Sequence, residues 1–169
     1  TMTNILGVSC HYHDSAAALV KDGIVVAAAE EERFSRKKHD SGFPDKAIDF
    51  VLQQGNIKPS ELDYVVFHEK PFLKFERVMM SLLSSWPATH GAFRESMLSW
   101  LKVKLWIKNT LKHKLNIADD KILFSEHHLS HAASAFLCSP FEESAIITMD
   151  GVGEWTTTSI GVGNGNEVK

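Results

Sequence analysis

Three β-type runs crowd the amino-terminal end of the chain with little between them, and this limits the fold more than any other feature. Asn4 to Ser9 reads as a first strand. Ser15 to Val20 and Ile24 to Ala29 read as a hairpin turned by Lys21-Asp22-Gly23, with Gly23 at the position that needs φ > 0. A helix is predicted from Phe43-Pro44-Asp45 to about Gln54, its apolar positions Ala47, Ile48, Val51 and Leu52 at helical spacing and Gly55 as the C′ stop. Asp63 to His68 is a fourth strand. A helical pattern follows from Phe72 to Leu115, interrupted near Trp86-Pro87 and Gly91. Lys121 to Ser125 is a strand, His128 to Leu137 a short helix, and Ser144 to Asp150 a further strand.

Two tight strand connections followed by strand–helix alternation make a mixed α/β protein, with a mixed sheet flanked by helices. The arrangement expected is the ribonuclease-H-like half of the actin/sugar-kinase architecture. A chain of 169 residues, 44% of them apolar, can bury roughly 70% of its unfolded surface, and its length points to one domain. Toward the end, Thr156 to Val162 reads as a strand, Gly163-Asn164-Gly165-Asn166 as a turn, and Glu167-Val168-Lys169 as the start of something left without a partner. The expectation is a fragment, residues 1–169, of a longer protein that would carry a second, similar half.

Eighteen basic against 21 acidic side chains give a net charge of −3, which offers no bulk attraction to nucleic acid or anionic membrane. Cys10 and Cys138 are in no CxxC pairing, as in a reduced compartment. Neither a charged leader nor an apolar run near the ~20 residues of a membrane helix is visible, so a cytoplasmic protein is expected. Lys104, Lys108 and Lys112 make a basic stripe that reads more simply as a solvated helix face than as a nucleic-acid surface. Trp86, Trp100 and Trp106 read as core or subunit-contact residues, and a homodimer is left open.

Nine histidines are an unusual number, and they cluster. In Ser125-Glu126-His127-His128-Leu129-Ser130-His131-Ala132, the i, i+4 spacing of His127 and His131 puts both imidazoles on one helix face, close enough to hold one metal ion. Ser125 stands where an N-cap would. The pair is not the HExxH of zinc proteases, since Leu129 and Ser130 fill its interior and Glu126 lies outside. A bare HxxxH also occurs on helix surfaces by chance. Further on, Ala145-Ile146-Ile147-Thr148-Met149 ends in Asp150-Gly151-Val152-Gly153. Asp150, at the end of a buried strand, could complete a 2-His-1-carboxylate set, which favours Fe(II) or a similar divalent ion. Gly151 and Gly153 would let backbone N–H groups approach a phosphate or carboxyl group. A plain Asx-Gly turn would look the same.

Two clusters lie near the first strands. In Cys10-His11-Tyr12-His13-Asp14-Ser15, His13 could act as a general base toward a hydroxyl, or the segment could be turn chemistry alone. In Glu30-Glu31-Glu32-Arg33-Phe34-Ser35-Arg36-Lys37-Lys38-His39-Asp40, Arg36, Lys37 and Lys38 could hold an anionic group such as a phosphate, or form a solvated, salt-bridged loop.

Taken together, Ile5-Leu6-Gly7-Val8-Ser9, His13-Asp14-Ser15-Ala16-Ala17, the Glu31-to-Asp40 element, Phe43-Pro44, Glu126-His127-His128-Leu129-Ser130-His131-Ala132-Ala133-Ser134-Ala135-Phe136 and Met149-Asp150-Gly151-Val152-Gly153-Glu154 resemble a known family. The chain resembles the amino-terminal part of the O-carbamoyltransferases that modify nodulation factors and antibiotics. Several motifs in consistent order, from Ile5 to about Gly161, are far more specific than any one of them; only Lys70 to Leu115 lacks sharp motifs. The resemblance implies an actin-like transferase domain whose metal, usually iron with zinc as the alternative, is held at the positions of His127, His131 and Asp150. It implies His13 as the base and Lys38, with Lys37 as the alternative, as the fixed charge. It also implies a YrdC-like domain, not in this sequence, that makes carbamoyl adenylate from carbamoyl phosphate and ATP. The acceptor would be a small-molecule or glycan hydroxyl, with no membrane and no nucleic acid as partner. The fragment alone is expected to be inactive.

Three readings compete. A tRNA threonylcarbamoyladenosine synthase component shares the architecture and the HxxxH pair, but the His13-Asp14-Ser15 and Glu31-to-Asp40 elements favour the O-carbamoyltransferase. A sugar or acetate kinase prefers an acidic Asp-x-Gly near the first strand, where this chain has Gly7-Val8-Ser9. A non-catalytic assembly module predicts no stoichiometric metal.

Overall fold

A computed structural model of the chain describes residues 2–12, 14–151 and 153–169. The elements in order are β1 (Asn4–Ser9), β2 (Ala16–Lys21), β3 (Ile24–Glu30), α1 (Glu32–Ser35), α2 (Asp45–Gln54), β4 (Tyr64–Phe67), α3 (Pro71–Ser84), α4 (His90–Lys102), α5 (Ile107–Leu115), β5 (Ile122–Phe124), α6 (His127–Phe136), β6 (Glu143–Met149), β7 (Thr158–Asn164) and β8 (Glu167–Val168). They divide into two compact units: the chain up to Phe67 with Ser99–Phe124, and His68–Leu98 with Ser125–Lys169.

The first unit holds a five-stranded sheet in the order β3-β2-β1-β4-β5. β1 to β3 form an antiparallel meander, and β4 and β5 run parallel to β1. That is the ribonuclease-H-like order expected of half an actin-type fold. The meander closes because Asp22 (φ 50°) and Gly23 (φ 81°) both take left-handed backbone, which matches the twist of the flanking strands. Period-2 alternation sends Leu6, Val8, Ala17, Leu19, Val65, Phe67 and Ile122 into one core with Ala47, Ile48, Val51 and Leu52 of α2 and Ile107, Leu111 and Leu115 of α5.

One local expectation is corrected in this unit. Gly55 follows α2 as predicted, but with φ −77° it remains right-handed, and Asn56 (φ 49°) makes the left-handed turn instead. Gly55 is small for a packing reason: a Cβ there would lie 2.2 Å from Leu19 Cδ2. The basic stripe is not a bare cationic face, because Lys112 and Lys108 stand 2.8 and 3.8 Å from Asp119 and Lys104 lies 5.2 Å over the Trp100 ring. Trp100 is buried, whereas Trp106 and, in the other unit, Trp86 are exposed.

The second unit holds an antiparallel sheet in the order β6-β7-β8. Gly165 (φ 57°) turns the chain, and β8 pairs back onto Gly163 and Asn164. The terminal turn therefore does return, and the unpaired edge expected there has a short partner. α6 lies on this sheet through Ala132, Phe136 and Ile146, with Val168 packed alongside. Among the described residues no helix is long and apolar enough to cross a membrane.

Candidate functional site

α6 starts directly after Glu126, whose extended backbone (φ −76°, ψ 142°) forms the N-cap without a side-chain cap bond. Ser125, expected in that role, stands one residue further out and turns its hydroxyl to the Glu126 carbonyl at 3.3 Å. The i, i+4 spacing places the His127 and His131 rings 4.8 Å apart between centroids, with their Nε2 atoms 3.2 Å apart. Asp150 follows β6, and its N–H donates to the Thr157 carbonyl. This fixes the carboxylate so that Oδ2 lies 2.5 Å from His127 Nε2 and 3.8 Å from His131 Nε2. The structure thus brings together the three side chains that the sequence proposes as metal ligands, with their donor atoms all within 4.8 Å of one another.

The donor set suits a divalent ion. Two ring nitrogens and a carboxylate oxygen facing one point need a shared proton or a shared cation. Ligands about 2.0–2.2 Å from a metal stand roughly 3 Å from each other, and the contacts here bracket that spacing. Side-chain exposure rises from 7% at His127 through 28% at Asp150 to 52% at His131. The group is therefore buried at His127 and open to solvent at His131.

The surroundings come from residues that no sequence motif flagged. Ser130 donates from its hydroxyl to the His68 carbonyl at 2.8 Å, tying the start of α3 to α6. Buried Glu69 then faces His127 Nδ1 at 3.5 Å, His68 Nε2 at 3.6 Å and buried Lys74 Nζ at 2.5 Å, all through Oε2. The 3.5 Å contact is an ion-pair distance, longer than a good hydrogen bond. Burial pushes the Glu69 carboxyl up, but His127, His68 and Lys74 together outweigh it and hold the group at about 2. Burial holds His68 down at about 4, only partly opposed by Glu69. Glu69 raises His127 above the ordinary histidine range against its burial, with Asp150 adding to the effect, whereas burial and the His127 charge lower His131. With Asp150 and Glu69 against Lys74, the fixed charges sum to one negative. A divalent ion would leave a net positive site, matched to an anionic ligand. The one signal available in sequence was His68-Glu69-Lys70, three titratable residues directly after a strand.

The segment after Asp150 is braced from α3. Arg77 donates to the Gly153 carbonyl at 2.7 Å, and the Lys70 N–H donates to Glu154 Oε1 at 2.6 Å. A Cβ on Gly153 would lie 2.4 Å from the Thr156 carbonyl and 3.0 Å from His128 Nε2. The space on the Cβ side of Gly153 is thus filled by the protein itself. Gly151 is exposed with nothing within 4 Å on its Cβ side.

The other proposed site residues lie in the first unit. His13 falls outside the described residues. Its neighbours are stitched to the basic loop: the His11 N–H donates to Ser41, the Ser15 N–H to the Asp40 carbonyl, and the Ser15 hydroxyl to the Gly42 carbonyl. His39 Nδ1 stands 3.0 Å from Asp14 Oδ1. Arg36, in left-handed backbone at φ 59°, and Lys38 are exposed, and Lys37 lies 3.7 Å from Asp40. Of the acidic run, Glu31 is buried and accepts the Ala47 N–H at 2.8 Å, so it caps α2 and is unavailable to a ligand.

The carbamoyltransferase N-terminus family matches residues 4–169. The uncharacterized protein sll1178 of Synechocystis sp. is 52% identical over 174 aligned residues, covering 99% of this chain and 28% of its own length. The nodulation protein NolNO of Sinorhizobium fredii is 36% identical over 162 residues, covering 93% of this chain and 22% of its own. Among solved structures, YeaZ from Pseudomonas aeruginosa aligns over 95% of this chain and 58% of its own, at 13% identity and a TM-score of 0.45. The chain spans about a quarter of the length of the first two relatives. With that match from end to end, the chain belongs to the carbamoyltransferase family, in the part described as its N-terminus.

Proposed function

We propose that the full-length protein is an O-carbamoyltransferase that moves a carbamoyl group from carbamoyl phosphate, by way of carbamoyl adenylate formed with ATP, to a hydroxyl of a small molecule or glycan. The observation that carries this reading is the convergence of His127, His131 and Asp150 on one point that opens to solvent. Those three residues would hold a divalent ion, Fe(II) first and zinc as the alternative, supplying Lewis-acid polarisation of a carbonyl or phosphoryl oxygen.

The chain's own residues then have the following roles. Lys38, with Arg36 and Lys37, balances charge on the adenylate. Gly151 offers its backbone to an oxyanion. His13 takes the proton from the acceptor hydroxyl as that oxygen bonds to the carbamoyl carbon. The bond from that carbon to the phosphate oxygen breaks, and AMP leaves with the electron pair. The test is H127A in the full-length protein, read by metal analysis and by carbamoyl transfer from carbamoyl phosphate and ATP. Metal content and transfer should be lost together; undiminished transfer by a metal-free H127A protein would remove the ligand assignment.

A further inference from the structure

His127 has two ring nitrogens with different surroundings. Nε2 faces Asp150 and His131. Nδ1 is buried and has no hydrogen-bond partner among the described residues; Glu69 Oε2 stands 3.5 Å away. An imidazole binds a metal through a nitrogen without a proton, so a ligand using Nε2 must carry its proton on Nδ1. A buried carboxylate on the Nδ1 side favours that tautomer and fixes the ring plane.

We infer that Glu69 is the positioning residue for His127, an outer carboxylate that sets its tautomer and ring orientation for the metal, with Lys74 as the fixed counter-charge. Glu69 and Lys74 are 6% and 3% exposed, and Nζ lies 2.5 Å from the same Oε2 that faces His127. A buried ion pair is a poor source of stability compared with apolar side chains of the same volume, which leaves the orientation of His127 as the use of the pair. The same geometry decides against a second ion among His68, Glu69 and His127, although their donor atoms also cluster. The Lys74 ammonium already occupies the carboxylate oxygen such an ion would need, and two adjacent cations would repel in a buried setting.

The inference rests on the reading of His127, His131 and Asp150 as ligands, and the experiment separates the two. The full-length protein is stripped with a chelator and titrated with Co(II) and with Zn(II), following stoichiometry, affinity and the visible Co(II) spectrum. The variants are E69Q, H127A and E69Q/K74M, the last removing the Lys74 ammonium together with the Glu69 charge. Wild type should take one equivalent and H127A none at this site. E69Q and the double variant, each confirmed folded by circular dichroism, should bind Co(II) about 10–100-fold more weakly with an altered Co(II) spectrum, because the orientation of a ligand ring has changed. Wild-type affinity and spectrum in either Glu69 variant would overturn the positioning role, as would a second equivalent in wild type. A wild-type protein that takes up no metal would overturn the ligand reading as well.

Discussion

Replacing Lys74 by Met leaves the Glu69 carboxylate buried without its ammonium. Both side chains are under a tenth exposed and the charged atoms are 2.5 Å apart, so solvent cannot substitute for the lost partner. Removing one member of such a pair costs roughly 3–5 kcal/mol, against about 5–15 kcal/mol for a whole domain. The E69Q/K74M double variant removes both charges and should return to within about 1 kcal/mol of wild type, recovering roughly 2–4 kcal/mol of the K74M penalty. The assay is urea unfolding followed by far-ultraviolet circular dichroism, at pH 8.5 with a chelator present. High pH disfavours protonation of His127 and His68, which both face the same Glu69 oxygen and would otherwise replace the missing charge. With a slope near 2 kcal/mol per molar urea, K74M should move the midpoint down by about 1.5–2.5 M with the slope unchanged. A K74M penalty below about 1 kcal/mol, or a double variant as unstable as the single one, would refute the argument that Glu69 stays charged in a site closed to water.

Three further outcomes follow from the same structure. His68, about 6.5 when unfolded and about 4 when folded, binds its proton more readily in the unfolded chain. The stability it permits is therefore full above pH 6.5 and lost as pH falls toward 4, by roughly 3 kcal/mol, and His68→Phe should flatten that part of a metal-free stability–pH curve. His127 is raised without metal, so metal uptake should release protons near neutral pH and weaken about tenfold per pH unit once His127 is protonated, as measured by proton release during Zn(II) titration; pH-independent uptake would contradict it. Gly55→Ala drives a methyl to within 2.2 Å of the Leu19 side chain and should cost about 1–3 kcal/mol in thermal or urea unfolding, an expectation that fails if the variant is as stable as wild type.

Local chemistry and period fixed much of this protein before any coordinates. The hairpin at Asp22-Gly23, the amphipathic run of α2 and the break at Trp86-Pro87 are short-range consequences of backbone preference and hydrophobic spacing, and the β1-β2-β3 meander follows from its short connections. His127 and His131 were legible as a pair for the same reason, since a helix brings i and i+4 to one face. What the sequence left undecided lies across long separations. Asp150 joins His127 only because β6 ends beside α6, and Glu69 and Lys74 reach His127 from the start of α3, a stretch with no motif to announce it. Gly55 and Gly153 also looked like backbone devices, whereas the structure shows each kept small by an atom distant in sequence or by its own turn. Local propensity is encoded residue by residue; the meeting of a carboxylate with an imidazole across tens of residues depends on which buried surfaces pack together, and only the folded chain decides that.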